Sequence, residues 1–166
     1  KPVVFWQQEN LLQQYLPNLD RYIVLSDYDK RDYMEKLGID CEVKINPRSF
    51  VSEKKCDVKS KRFLMATRFV YAKGLDLMME SFEEFCKEDS EWELDIIGDG
   101  DLFDQIRADA KKRHLEKRVH FVGYTNEPEK YYLNSSVFLL PSRWEGWPMV
   151  IMEAFEFGLP VIAYHM

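Results

Sequence analysis

The chain has little cysteine, little histidine and no excess of positive charge. The 166 residues include three cysteines, Cys41, Cys56 and Cys86, an odd number without metal-ligand spacing. The pattern suggests no disulfide framework and no cysteine-held metal, and a reducing compartment is the expectation. The three histidines, His114, His120 and His165, have no acidic partner at a recognisable spacing, so none reads as a base or a metal ligand. A formal net charge of −6 argues against nucleic acid as a partner. No apolar run approaches the length of a bilayer span, and the start carries no signal-peptide pattern. Because the chain opens on Lys1-Pro2 and ends on an apparent strand, it reads as a piece of a larger protein.

A hydrophobic content of 46% beside 31% charged residues is that of a globular domain able to bury a core. Along the chain, apolar runs alternate with helical patterns. Pro2–Trp6 is a short apolar run and Gln7–Tyr15 a candidate helix. Tyr22–Ser26 reads as a strand, Asp27–Leu37 as a helix stopped by Gly38, and Glu42–Ile45 as a further strand. Asn46-Pro47 breaks the pattern, and Ser52–Ser60 is polar, lysine-rich and aperiodic, hence a linker or exposed loop.

A second series follows. Strands are expected at Arg62–Ala66, Glu93–Ile97, Val119–Val122, Val137–Leu140 and Val161–Tyr164. Helices are expected at Leu75–Cys86, Leu102–His114, Glu127–Leu133 and Met149–Phe157, with Asp101 as a helix N-cap. Strand alternating with helix implies an α/β fold, a Rossmann-like parallel sheet with helices on both faces. Such sheets bind ligands beyond the carboxyl ends of their strands. That rule points to the loops Thr67–Gly74, Gly98–Asp101, Gly123–Asn126 and Ser142–Trp147.

The last of these loops carries the strongest signal. Glu145 and Glu153 are separated by seven residues with Pro148 between them, so no continuous helix interior holds both. Glu145 belongs to the loop after a strand, and Glu153 to the second turn of the next helix. Orphan helix N–H groups flanked by two carboxylates suit phosphate and sugar hydroxyls respectively. Arg68 and Lys73, five residues apart before Gly74, read as phosphate-binding cations or as two solvated surface cations. Gly98-Asp99-Gly100 permits close backbone approach. The dinucleotide fingerprint would need a third glycine where Phe103 stands. Asp99-Gly100-Asp101 resembles an Asp-x-Asp metal motif, but it lies inside a glycine turn leading to a helix.

The stretch from Pro141 to Gly158, with its Glu-x7-Glu spacing, resembles the signature of retaining glycosyltransferases of the GT-B architecture, in the GT4-like (glycosyl transferases group 1) family. Arg68, Lys73-Gly74, the Trp92–Gly100 run and Val119–Gly123 fall in that family's order, so the resemblance covers roughly Tyr22 to Met166. It implies the C-terminal, donor-binding half of such an enzyme. Residues 1–46 would be the tail of the N-terminal acceptor domain, 47–60 a linker, and 61–166 the nucleotide-sugar-binding domain, truncated at its end.

It also implies roles. Arg68 and Lys73 would hold the donor diphosphate, Glu145 the sugar hydroxyls and Glu153 the ribose. Gly98, Gly100, Gly146 and Trp147 would complete the donor site. Tyr124 would stack on the base or else pack on the surface. No metal and no cofactor are expected, the substrate being a UDP- or GDP-linked sugar. The full enzyme would pass a hexose to a glycan or lipid-linked acceptor in cell-envelope or capsule polysaccharide synthesis. It would work in the cytoplasm or at the cytoplasmic face of the membrane. In the family a front-face transfer is favoured, with the leaving phosphate helping to deprotonate the acceptor.

The basic run Lys111–His114 with Lys117-Arg118 reads as a helix C-terminus complementing its dipole, or as a peripheral contact with anionic lipid. The junction Asn46-Pro47-Arg48-Ser49-Phe50 departs from the family's usual Asn-Gly-Val-Asp. Two other readings stand beside the transferase. One is a catalytically silent nucleotide- or protein-binding module. The other is a different GT-B enzyme, a nucleotide-sugar epimerase or a phosphorylase.

Overall fold

A computed structural model describes residues 20–47, 51–89 and 91–165. The expected elements at Pro2–Trp6 and Gln7–Tyr15 lie outside the described residues. The chain divides into two compact units, Lys1–Pro47 and Arg48–Met166.

In the first unit, β1 (Ile23–Val24) pairs in parallel with β2 (Glu42–Val43), and α1 (Asp27–Leu37) connects them. Ser26 caps α1 by accepting from the Asp29 amide at 3.1 Å. Gly38, at φ +69, closes its other end, its amide donating to the Met34 carbonyl. The strands are shorter than the sequence suggests, because pairing covers two residues of each.

The second unit holds a five-stranded, all-parallel sheet. Its strands are β3 (Arg62–Ala66), β4 (Glu93–Ile97), β5 (Val119–Gly123), β6 (Val137–Leu140) and β7 (Val161–Ala163), in the order β5-β4-β3-β6-β7. The connecting helices are α2 (Leu75–Glu88), α3 (Phe103–Lys112), α4 (Glu129–Leu133) and α5 (Met149–Glu156).

Alternation along the strands sorts the core into two layers. Phe63, Met65, Leu94, Ile96, Val119 and Leu139 point to one face, where Met78, Met79 and Phe82 of α2 and Ile106 and Ala110 of α3 cover them. Trp92 joins this layer, stacked on Phe63 at 4.5 Å. Leu64, Ile97, Phe138 and Leu140 point to the other face, beneath Tyr132 of α4 and Ala154 of α5, with Phe157 just beyond α5. The sheet therefore carries helices on both faces, as the alternation predicts.

Two helix starts differ from the sequence reading. Asp101 does not cap α3, which begins at Phe103 with no side-chain cap. The turn before it is closed by backbone instead: Leu102 N–H donates to the Phe69 carbonyl at 2.9 Å and Phe103 N–H to that of Gly100 at 3.0 Å. α4 begins at Glu129 rather than Glu127, with Pro128 ahead of it.

Residues 51–60, read as a linker or exposed loop, are strapped onto the domain. The Cys56 amide donates to the Phe157 carbonyl, the Asp57 amide to Leu133, and the Ser52 amide to the Glu156 carboxylate at 2.9 Å. Glu156 thus anchors this segment through its side chain.

Candidate functional site

The chain runs outward from β3 to β4 and β5, then returns to lay β6 against the other side of β3. The point of reversal falls between the carboxyl ends of β3 and β6, which is where open α/β sheets leave a crevice. A cleft of about 380 Å³ opens there. Its lining includes Thr67, Arg68 and Lys73 after β3, Gly98 after β4, and Glu145 and Trp147 after β6.

Glycine geometry explains how the loops come so close. Gly74 has φ +63, and a Cβ there would fall 2.1 Å from the Pro141 carbonyl oxygen. The β3 and β6 loops touch backbone to backbone at that point. Gly98 (φ +125) and Gly100 (φ +153) do the same between the β4 and β3 loops, with added Cβ atoms 1.8 Å from the Thr67 oxygen and 2.8 Å from Phe69. The approach these two glycines permit is by the chain itself. Gly98 still lines the cleft, whereas Gly100 does not.

The two loops are also laced by Arg143. Its amide donates to the Ala72 carbonyl at 2.8 Å. Its guanidinium stacks on Tyr71 at 4.0 Å and grips both carboxylate oxygens of Asp76, at 2.8 and 2.6 Å. The bonds from Arg143 hold the Asp76 carboxyl below the ordinary carboxylate range, and those from Asp76 push the guanidinium higher.

Within this frame, Lys73 Nζ donates to both oxygens of Glu145 at 2.7 Å each. Ser142 Oγ donates to Glu145 Oε1 at 2.6 Å. The two side chains are 19% and 9% exposed, so the pair is largely desolvated. It does not exhaust either partner. The ammonium keeps a third N–H, and Oε2 keeps a lone pair, so one cation donor and one carboxylate acceptor stand side by side in the cleft. Arg68 is exposed at the cleft wall and has no ion-pair partner among the described residues. Met149 and Val150, at the N-terminus of α5, complete the lining, and no acidic residue of the first turn offsets that positive helix end.

Of the residues singled out from sequence, Arg68, Lys73, Gly98, Glu145 and Trp147 share this cleft. Glu153 sits farther along α5, where its Oε2 accepts from the Tyr132 hydroxyl at 2.7 Å. Gly146 is exposed with open space at its Cβ position. Tyr124 is 79% exposed beyond the end of β5. Trp144 packs on Tyr71 at 6.0 Å. Sequence reasoning missed Ser142, Tyr132 and Arg143. Of these, Ser142 alone had a local signal, three residues before Glu145.

The basic run divides. Arg113 pairs with Asp109 and Glu83, and Arg118 donates to the carbonyls of Trp92 and Asp89. Lys111 and Lys112 remain exposed in the last turn of α3. Among the described residues, no group of three His, Cys, Asp or Glu could hold a metal ion, and no helix is long and apolar enough to cross a membrane.

The family model for glycosyl transferases group 1 matches residues 49–166, and the chain belongs to that family. It is 30% identical over 148 residues to an uncharacterised glycosyltransferase of Haemophilus influenzae, covering 88% of this chain and 42% of that protein. It is 34% identical over 106 residues to the amylovoran biosynthesis glycosyltransferase AmsD of Erwinia amylovora, covering 64% and 30%. Staphylococcus aureus TarM, solved with fondaparinux, alpha-GlcNAc-glycerol and UDP, superposes with a TM-score of 0.82 at 22% identity, over 95% of this chain and 32% of TarM. The fold is that of the GT-B glycosyltransferases. The chain spans less than half the length of these relatives.

Proposed function

We propose that this chain is the donor-binding part of a retaining, metal-independent glycosyltransferase. Its whole protein moves a hexose from a UDP- or GDP-linked sugar to a glycan or lipid-linked acceptor in cell-envelope polysaccharide synthesis. It acts in the cytoplasm or at the cytoplasmic membrane face. The observation that carries the reading is the Lys73–Glu145 pair, set in a cleft at the strand-order reversal. AmsD, named for amylovoran biosynthesis, and TarM, solved with UDP, support the pathway and the donor class.

In this reading the donor diphosphate lies against Arg68, the free N–H of Lys73 and the N-terminus of α5. Charge grows on the leaving phosphate as the glycosidic C–O bond breaks, and these fixed positive groups stabilise that state more than the ground state. The acceptor hydroxyl oxygen bonds to the anomeric carbon on the face the phosphate leaves. Its proton passes to a phosphate oxygen, so configuration is kept. Glu145 accepts from sugar hydroxyls through Oε2, Trp147 bounds the sugar, and Gly146 offers its N–H. Glu153 accepts from the ribose, and Gly98, Gly100 and Tyr124 lie toward the nucleoside.

The test is transfer by the full-length protein, supplied with cell-envelope acceptor and UDP-glucose, UDP-galactose, UDP-GlcNAc or GDP-mannose in EDTA. The expected result is release of one nucleoside diphosphate with an α-linked product from the α-linked donor. Glu145→Gln should lower the rate by about a hundredfold or more. A β-linked product, or a rate that needs added metal, would contradict the reading.

A further inference from the structure

Tyr132 does not line the cleft. Its ring has no exposed surface. It is stacked between Phe138, at 5.9 Å and 9°, and Phe157, at 5.2 Å and 18°. Burial, and then the bond to Glu153, push its ionisation far above the ordinary tyrosine range. The phenol therefore stays protonated and donates, and Glu153 Oε2 accepts at 2.7 Å. Glu153 is half-buried, and its Oε1 accepts no hydrogen bond among the described residues. One carboxylate oxygen is held by a fully buried, stacked phenol, and the other accepts no hydrogen bond from the described residues.

We propose that Tyr132 is a positioning residue for Glu153: it fixes the carboxylate so that Oε1 is presented to a ribose diol, and so sets the preference for ribonucleotides over deoxyribonucleotides. The proposal rests on the reading that Glu153 takes the ribose. A carboxylate on a free helix surface samples several rotamers, and a ligand hydroxyl must then select one. Here the selection is built in by α4 and the core beneath it. A buried phenol also needs an acceptor for its own sake, so the test must separate positioning from simple satisfaction of a buried hydroxyl.

The experiment uses the full-length protein in EDTA. Dissociation constants are measured for UDP, GDP and ADP, and then for the tightest of these against its 2′-deoxy form. The wild type should favour the ribose form by about tenfold or more, the scale of a hydrogen bond to a charged acceptor. Glu153→Ala should erase that preference. Tyr132→Phe keeps the ring and its stacking; it should cut the preference severalfold while leaving affinity for the deoxy form unchanged. Leu64→Ala loosens the same core layer without removing a ring of the stack; it should lower Tm and leave the preference intact.

If Glu153→Ala erases the preference and Tyr132→Phe keeps it, Tyr132 is core and the proposal fails alone. If Glu153→Ala keeps the preference, or no nucleotide binds saturably, the ribose reading fails and the proposal falls with it. A preference lost in Leu64→Ala as fully as in Tyr132→Phe would assign the effect to packing and overturn the proposal.

Discussion

Two charge clusters occupy opposite ends of the same sheet. Beyond the carboxyl ends of β3 and β6, Lys73 and Glu145 meet across 72 residues of sequence. Toward the amino ends of β3 and β4, Arg62 binds Glu93 and also Asp95, the latter at 2.8 Å, and His120 reaches Glu93 at 2.9 Å. Asp95 is as buried as Glu145, with side chains 8% and 9% exposed. Burial and pairing therefore do not distinguish the two. What differs is how each is built. The Arg62 cluster follows from strand register, which sets Arg62 opposite Glu93 and Asp95 opposite His120. The Lys73 pair hangs on loops at the strand-order reversal, beside open volume, with donor and acceptor capacity left over. Spare hydrogen-bonding capacity next to space marks a candidate site; a charge network locked by strand register marks architecture.

The largest effect expected from breaking this arrangement comes from the backbone beneath the cleft. Gly98→Ala sets a Cβ against the Thr67 carbonyl in a left-handed conformation, and should cost about 3–5 kcal/mol in chemical unfolding. Gly146→Ala, with open space at its Cβ position, should stay within about 0.5 kcal/mol.

Next come the clusters themselves. Arg62→Met strands Asp95, and Lys73→Met strands Glu145 with Ser142 alone. Each should lose about 3 kcal/mol, the scale for removing one partner of a buried pair. The comparison sharpens in the ligand assay: Lys73→Met should abolish nucleoside diphosphate binding and Arg62→Met should leave it unchanged. Equal losses of binding in both variants would erase the distinction.

A smaller effect than at either cluster is expected at the Arg143–Asp76 clamp, whose Asp76 side chain is 52% exposed. Asp76→Asn should cost less than about 1 kcal/mol. The folded-state pKa of Asp76 is lowered, so its contribution is complete at neutral pH and is lost only as the pH falls below the ordinary carboxylate value. Urea unfolding at neutral and acidic pH should show the gap between wild type and variant closing in acid.

The strands of the second unit are readable within about a residue, because the inner ones, β3, β4 and β6, bury consecutive residues and so appear as short apolar runs between glycines and charges. The helices were readable from their amphipathic spacing. The meeting of Lys73 with Glu145 was not. It depends on β6 returning to the side of β3, an ordering that no local pattern encodes. The sequence reading gave the two residues separate partners on the ligand, while the structure has them paired with each other. Gly98 and Gly100 were read as room for a ligand, yet the space they leave is filled by Thr67 and Phe69, whose contact is equally non-local. The strap at residues 51–60 was hidden because its bonds are mostly made by backbone, which composition does not report. Tyr132 looked like any apolar helix residue; its meaning depends on Glu153, 21 residues away.

The central claim is that the cleft between the β3 and β6 loops holds a nucleoside diphosphate on Lys73. The most direct test is a calorimetric titration of the full-length protein with UDP, GDP and ADP in EDTA, beside Lys73→Met and with Arg62→Met as the control for stability. The account predicts saturable binding of one of the three, lost in Lys73→Met and retained in Arg62→Met. Binding that survives the loss of Lys73 unchanged, or the absence of binding by any of them, would contradict it.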